Sequence, residues 1–301
     1  MSKYKVTAPN LNLRSAAKKS SGNRIAVLTQ GQVVNIINKN HAPWWLISTN
    51  LHNIHIEGYV HSNYLQAIEE FQPLPIITSI APVHLKENHS TITRSRDGGR
   101  AFPLGEQERP QRNGSTKSER IAQLGDIIDW LDVEQNQRYL KKGSTTYCNI
   151  YAYDFCYLAG VYLPRVWWKE KALLELAQGK PVEVRYGVTV RELNANSLHD
   201  WLEDFGADFG WRPSIDVSEC QHQANEGKIV LACAKRVSTN RPGHICPFVP
   251  ETTINRAKRI HNGDVSRPLQ SQAGGSNFRY KAVSKWWTAD KFQSFGLWIH
   301  D

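Results

Sequence analysis

Hydrophobic and polar positions change their period twice along the chain. Between residues 3 and 66 they come in short β-prone runs, Tyr4–Thr7, Leu11–Arg14, Arg24–Leu28, Val33–Asn38, Trp44–Ser48 and His55–Val60, parted by Gly, Asn, Ser and Pro. Short runs rich in β-branched and aromatic residues read as strands, and this many in so little chain predict a compact all-β barrel. From 67 to 118 the pattern breaks. Pro73, Pro75, Pro82, Pro103 and Pro110 punctuate it, and Thr93–Arg100 and Arg109–Lys117 are polar and aperiodic. A connector wrapping the surface is expected there, with Ile76–Ile80 as a short apolar piece able to dock.

A helical period then takes over. Ile121, Leu124, Ile127, Ile128 and Leu131 share one face behind Ser115 or Thr116 as a cap, which predicts a first helix. A second runs from Cys148 to Gly160, with Ser144, Thr145 and Thr146 offering capping hydroxyls before it. Further on, the spacing predicts a helix about Lys169–Gln178, an extended piece about Val182–Tyr186 and a helix from Asn196 or Ser197 through Phe205. Lys228–Ala234 suits a buried strand, and Arg241-Pro242-Gly243 turns it into a second arm, His244–Val249. Pro268–Ala273, closed by Gly274-Gly275, and Gly296–His300 complete an antiparallel sheet. The class is therefore α+β, divided as residues 1–67, a linker 68–118, and 119–301.

Composition narrows the function classes. Lys and Arg number 37 against 28 Asp and Glu, a net +9, which favours an anionic partner such as nucleic acid, a membrane surface or an acidic wall polymer. Seven of the cations lie in residues 3–66, where Glu57 is the one acid. No nucleic-acid motif accompanies the charge. Most of the five cysteines, without a CxxC pair or a Cys/His zinc spacing, read as reduced, buried residues, and no metal or organic cofactor is expected. The opening Met-Ser-Lys-Tyr-Lys-Val-Thr has no apolar core of a leader, and no run approaches the ~18 apolar residues of a membrane span. A chain made in the cytoplasm is expected, reaching any external target by lysis or a dedicated export machine.

Cys148 is the candidate nucleophile. In the first turn of a helix, free N–H groups and the positive dipole end favour an anion, and with a histidine near they can bring a thiol into the range of roughly 3.5–7.5. A thiol also needs a base to take its proton and return it to a leaving amine, and the base needs an orienting partner. Chain order supplies a cysteine, then His244 at the head of a strand, then a polar residue on the next strand. The remaining candidates read as structural. Cys156 and Cys246 look like core, and Cys220 and Cys233 are paired or separately buried. His199, His222 and His261 are ordinary surface residues, His300 is a weaker rival, and Asp154 and Glu251 are available polar neighbours.

Two resemblances follow from these residues. Leu-Asn-Leu-Arg-Ser at 11–15, Gly31-Gln32-Val33-Val34, Trp44-Trp45-Leu46-Ile47 and Gly58-Tyr59-Val60-His61-Ser62-Asn63-Tyr64-Leu65 closely resemble bacterial SH3 domains, which bind cell-wall peptide or shape the groove of a catalytic neighbour. Residues 120–300 resemble papain-like cell-wall hydrolases of the NlpC and CHAP type through the Cys-Asn-Ile-Tyr helix, the Gly-His-Ile strand and the Leu-Gln-Ser-Gln-Ala-Gly strand. That likeness implies a cysteine peptidase or amidase acting on peptidoglycan or muropeptides, with Cys148 as nucleophile, His244 as base and Gln272 as orienting residue. It also implies a bacteriolytic role, as a lysin, an injected antibacterial effector with an immunity or inhibitor protein, or a recycling enzyme. The alternative is a wall- or nucleic-acid-binding protein that uses the papain-like part as a scaffold.

Overall fold

The computed structural model describes residues 3–20, 22–68, 80–86, 91–238 and 240–301. Its first unit contains seven strands, β1 (Lys3–Val6), β2 (Asn10–Arg14), β3 (Arg24–Thr29), β4 (Val33–His41), β5 (Trp44–Leu51), β6 (Ile54–His61) and β7 (Leu65–Ala67). They form one antiparallel sheet in the order β3-β2-β6-β5-β4-β1-β7. Val6, Leu11, Leu13, Ala26, Leu28, Val34, Ile36, Ile47, Ile56 and Val60 share a single buried cluster. Strands from opposite ends of the order contribute to that cluster, so the sheet is curled upon itself, as the run pattern predicts. At Gly58 a Cβ would stand 2.9 Å from both the Arg14 carbonyl and Leu13, so the missing side chain is what allows β6 to cross β2 so closely.

The second unit places helices on an antiparallel sheet. Helix α1 (Lys117–Leu131) starts at Thr116, whose hydroxyl accepts from the Glu119 N–H while the Glu119 carboxylate accepts from the Thr116 N–H. Of the two hydroxyls the sequence offers, Thr116 is the cap, and Glu119 makes it reciprocal. Its buried face is Leu124, Ile127, Ile128 and Leu131. Helix α2 (Cys148–Leu158) is buried nearly all round, which is why its apolar residues show little sidedness. Helices α3 (Glu170–Ala177) and α4 (Ala195–Asp204) also lie where the spacing predicts.

Between these helices, β8 (Val166–Trp168) pairs with β9 (Val190–Glu192). No strand covers Val182–Tyr186; the chain there is a loop that returns to β9 through turns held by the Thr189 hydroxyl. The main sheet holds β10 (Arg212–Ser214), β11 (Ile229–Arg236) and β12 (His244–Phe248), followed after the small hairpin β13 (Lys258–Arg259) and β14 (Val265–Arg267) by β15 (Leu269–Gln272), β16 (Phe278–Ala282) and β17 (Phe292–His300). Its order is β10-β17-β11-β12-β15-β16, with Ala234 opposite His244 and Phe248 opposite Gln270. Helix α5 (Val217–Asn225) escapes the sequence reading because polar side chains dominate it. Gln221 on this helix is fully buried and bridges the sheet, donating to the Val249 carbonyl and accepting from the Leu269 N–H.

The connector is more deeply built in than a surface wrap. Val83, Leu85, Ala101 and Leu104 join the core of the second unit, and Ile80 packs against it, whereas 76–79 of the expected docking piece lie outside the described residues. Arg112 ties this segment to three places, donating to the carbonyls of Ala159, Gly227 and Asp301. The curled sheet meets the second unit along β3 and β17. There the Arg24 guanidinium reaches the Trp287 and Ala289 carbonyls, and His52 lies 3.1 Å from Glu203 of α4.

Candidate active site

The start of α2 fixes the position of the thiol. Tyr147 is the N-cap and its side chain caps nothing, while Thr145 is occupied in a tight turn with Lys142, so the expected hydroxyl cap is absent. The Ile150 N–H bonds back to the Tyr147 carbonyl. The N–H groups of Cys148 and Asn149, joined by that of Ile245 on β12, act on Sγ. This places the thiol against the strand that carries His244. Cys148 is only 4 % exposed, and burial pushes its thiol up despite the three N–H groups. The depressed thiol expected from the helix dipole is therefore reversed in the resting chain, because desolvation of the anion outweighs the dipole and the N–H donors.

The imidazole and Gln272 come together directly, with His244 Nε2 2.7 Å from Gln272 Oε1. Gln272 Nε2 donates to the Ser276 carbonyl at 2.9 Å, which fixes which end of the amide faces the ring. The oxygen faces His244, so Nε2 carries the proton and Nδ1 keeps its lone pair. Burial lowers the imidazole from its ordinary 6.5 to about 4; the Gln272 hydrogen bond opposes this, and Lys291 and Arg236 add to it. A Cβ on Gly274 would lie 3.0 Å from Gln272 Nε2 and 3.4 Å from His244 Cε1, so a side chain there would press on this pair. Trp286 packs edge-on against His244, ring centres 4.6 Å apart. Among the described residues, no hydrogen bond joins the imidazole to the Cys148 thiol. At rest burial favours the neutral form of both the thiol and the imidazole, and the N–H groups of Cys148 and Asn149 are free of backbone partners.

Elsewhere the structure separates packing from chemistry. All five cysteines are free and buried. Cys246 Sγ donates to Gln270 Oε1 at 3.1 Å, and the Cys220 thiol is pushed up to about 12 by burial. His222 and His261 are exposed. His199 is not a surface residue. It is 3 % exposed on α4, its ring nitrogens 3.5 Å from Asp200 and 3.6 Å from Glu203 with no hydrogen bond. His300 Nε2 lies 3.0 Å from the Phe209 carbonyl. Asp154 is fully buried with Arg138, at 2.6 and 3.1 Å, and accepts from the Tyr139 hydroxyl at 3.0 Å. Glu251 is held at about 2, chiefly by Arg259. Five surface clefts of about 310 to 610 Å³ are lined by residues other than Cys148, His244 and Gln272.

Sequence reasoning left Trp286 unassigned because it is one of ten tryptophans, and treated Asp154 only as an available neighbour. An acid amid the apolar positions of a helix buried on all sides was the signal for a buried ion pair.

Among curated proteins, none matches this chain. Of solved structures, the chain is similar to NlpC2 from Trichomonas vaginalis, at 9% identity and a TM-score of 0.25, over 98% of this chain and 96% of that one. Residues 9–66, which hold strands β2 to β6 and the start of β7, match the bacterial SH3 domain family.

Proposed function

We propose that the chain is a cysteine peptidase or amidase that opens a peptide or amide bond of peptidoglycan, with the bacterial SH3 domain engaging the wall. The observation that carries the reading is the polarity of the His244–Gln272 hydrogen bond, which leaves Nδ1 as an acceptor beside the strand position touching Cys148. Cys148 Sγ attacks the carbonyl carbon as its proton moves to Nδ1, forming the S–C bond. Because both groups are neutral at rest, attack and proton transfer belong to one step. The N–H groups of Cys148 and Asn149 accept the charge that develops on the carbonyl oxygen. As the C–N bond breaks, Nδ1 returns the proton to the leaving amine. Water then attacks the thioester, giving a proton to Nδ1 that passes back to Sγ. Gln272 touches no reacting atom in this scheme; it positions the ring and keeps the proton on Nε2. Peptidoglycan lies outside the membrane, so the proposal includes a route there by lysis or export.

A second reading, a binding protein on the same scaffold, is favoured by the 4 % exposure of Cys148 and its raised thiol. One experiment separates the two. Purified protein incubated with sacculi, followed by muropeptide analysis, gives new amine ends under the first reading, and Cys148→Ala gives none. Equal product from the variant rejects the mechanism, and binding without product from either protein establishes the second reading.

A further inference from the structure

We propose that the SH3 domain sets the position of the His244 imidazole through Arg24 and Trp286, so that the barrel is part of the catalytic geometry as well as an anchor. The inference rests on the cysteine-hydrolase reading for its meaning, but its physical content is independent of it.

Arg24 stands on β3, the strand of the barrel that faces β17. Its Nη2 lies 3.5 Å from both the Trp287 and the Ala289 carbonyls, and its guanidinium carbon sits 5.5 Å from the centre of the Phe295 ring. The group is half-buried, and the loss of water there is partly offset by the charge of Asp290. Trp287, Ala289 and Asp290 belong to the 3-10 turn Trp286–Thr288 and the lead into β17, and Phe295 to β17 itself, so all four partners lie in one stretch of the chain. One side chain of the barrel therefore grips the turn that presents Trp286.

Trp286 itself is anchored through its indole. Its Nε1–H donates to Gln270 Oε1 at 2.9 Å, and its ring packs edge-on against Trp287 at 5.4 Å and Phe292 at 5.5 Å. Gln270 is fully buried, and its oxygen also accepts from the Cys246 thiol. Those two donors fix the amide so firmly that its Nε2 is left without a partner, a costly arrangement for a buried group. What that cost secures is the orientation of the indole, which stands 4.6 Å from His244. Gln272 fixes the imidazole at Nε2; the indole limits its swing about the Cβ–Cγ bond and keeps water from that side. Turning the ring by a small angle would carry Nδ1 away from the thiol, and a displacement near 1 Å can cost about a hundredfold in rate.

The test compares Trp286→Leu, Trp286→Phe and Arg24→Ala in the full chain. With a muropeptide substrate, Trp286→Leu is expected to lower kcat about tenfold with little change in KM. Trp286→Phe should recover part of the loss, and Arg24→Ala should lose about threefold. In parallel, NMR titration of the His244 Cε1–H should show its midpoint rising by about one pH unit in Trp286→Leu as water reaches the ring, and by less in Arg24→Ala. Folded variants with wild-type kcat and an unmoved titration overturn the inference. If Trp286→Leu does not fold, Trp286→Phe and Arg24→Ala decide by the same readouts. Loss of activity in Cys148→Ala alongside unaffected Arg24 and Trp286 variants would leave the hydrolase standing and remove this inference. A wild-type protein that cleaves nothing would remove the hydrolase, and the titration would still decide whether the barrel positions the ring.

Discussion

Lowering the pH from 7 to 4.5 isolates the contribution of the His244 imidazole to stability. In the folded chain the ring is lowered from 6.5 to about 4, mainly because burial penalises its charged form. Below pH 6.5 the unfolded chain takes up a proton at this position that the folded chain refuses. The stabilisation is therefore fully present above pH 6.5, falls as the pH drops, and is gone below about 4. At about 1.4 kcal/mol per unit the whole shift corresponds to roughly 3 kcal/mol, of which roughly 2.5 kcal/mol is lost by pH 4.5. This is an upper figure for a ring that still meets solvent at one edge. Other groups titrate in the same interval, so the quantity to measure is the difference between wild type and His244→Gln, which carries no ionisable group there. Urea unfolding at pH 7, 5.5 and 4.5 gives that difference directly. Wild type should lose about 2 to 2.5 kcal/mol relative to the variant across the range. A difference flat to within about 0.5 kcal/mol would mean that the imidazole titrates as it does in water, and the burial that lowers it would be refuted.

Other perturbations follow from the same structure. Asp154→Ala strands the buried Arg138 charge and should cost about 3–5 kcal/mol in urea unfolding, whereas Arg138→Met with Asp154→Leu should lose less; a single-variant loss under about 1 kcal/mol contradicts this account. The rate of Cys148 alkylation by iodoacetamide, followed by mass spectrometry, should climb through alkaline pH, since the thiol is raised; a plateau beginning below about pH 7 would reveal a preformed thiolate instead. Thr116→Ala removes the hydroxyl that accepts from the Glu119 N–H while leaving the backbone half of the α1 cap, and should lower stability by about 1 kcal/mol by thermal unfolding; no change would show that this half of the cap is redundant.

The barrel was legible because each of its strands announces itself locally, through β-prone runs bounded by turn residues. Helix α1 was equally legible, since a one-sided apolar stripe and a capping hydroxyl at Ser115 or Thr116 are both written in neighbouring residues. Strand order anticipated a polar residue on the strand after His244, and the resemblance to papain-like hydrolases pointed to Gln272, which lies 2.7 Å from the imidazole. What sequence could not supply was the balance of burial against dipole at Cys148, because desolvation depends on everything packed around the helix start. His199 was misread for a related reason: its neighbours on α4 are polar, but the side of the helix it occupies faces Trp298. Helix α5 stayed hidden because Gln221 contributes to the core through hydrogen bonds, which leave no apolar trace in the sequence.

The five free thiols, none more than 4 % exposed, give the molecule an internal set of clocks. A chromogenic disulfide reagent added to the native protein can react only as each sulfur is uncovered, so the order of release maps which layer opens first. Cys148 reports the helix start, Cys156 the middle of α2, Cys220 the outer helix α5, and Cys233 and Cys246 the centre of the main sheet. Without any label added by engineering, the chain can be asked whether its working edge breathes separately from its core.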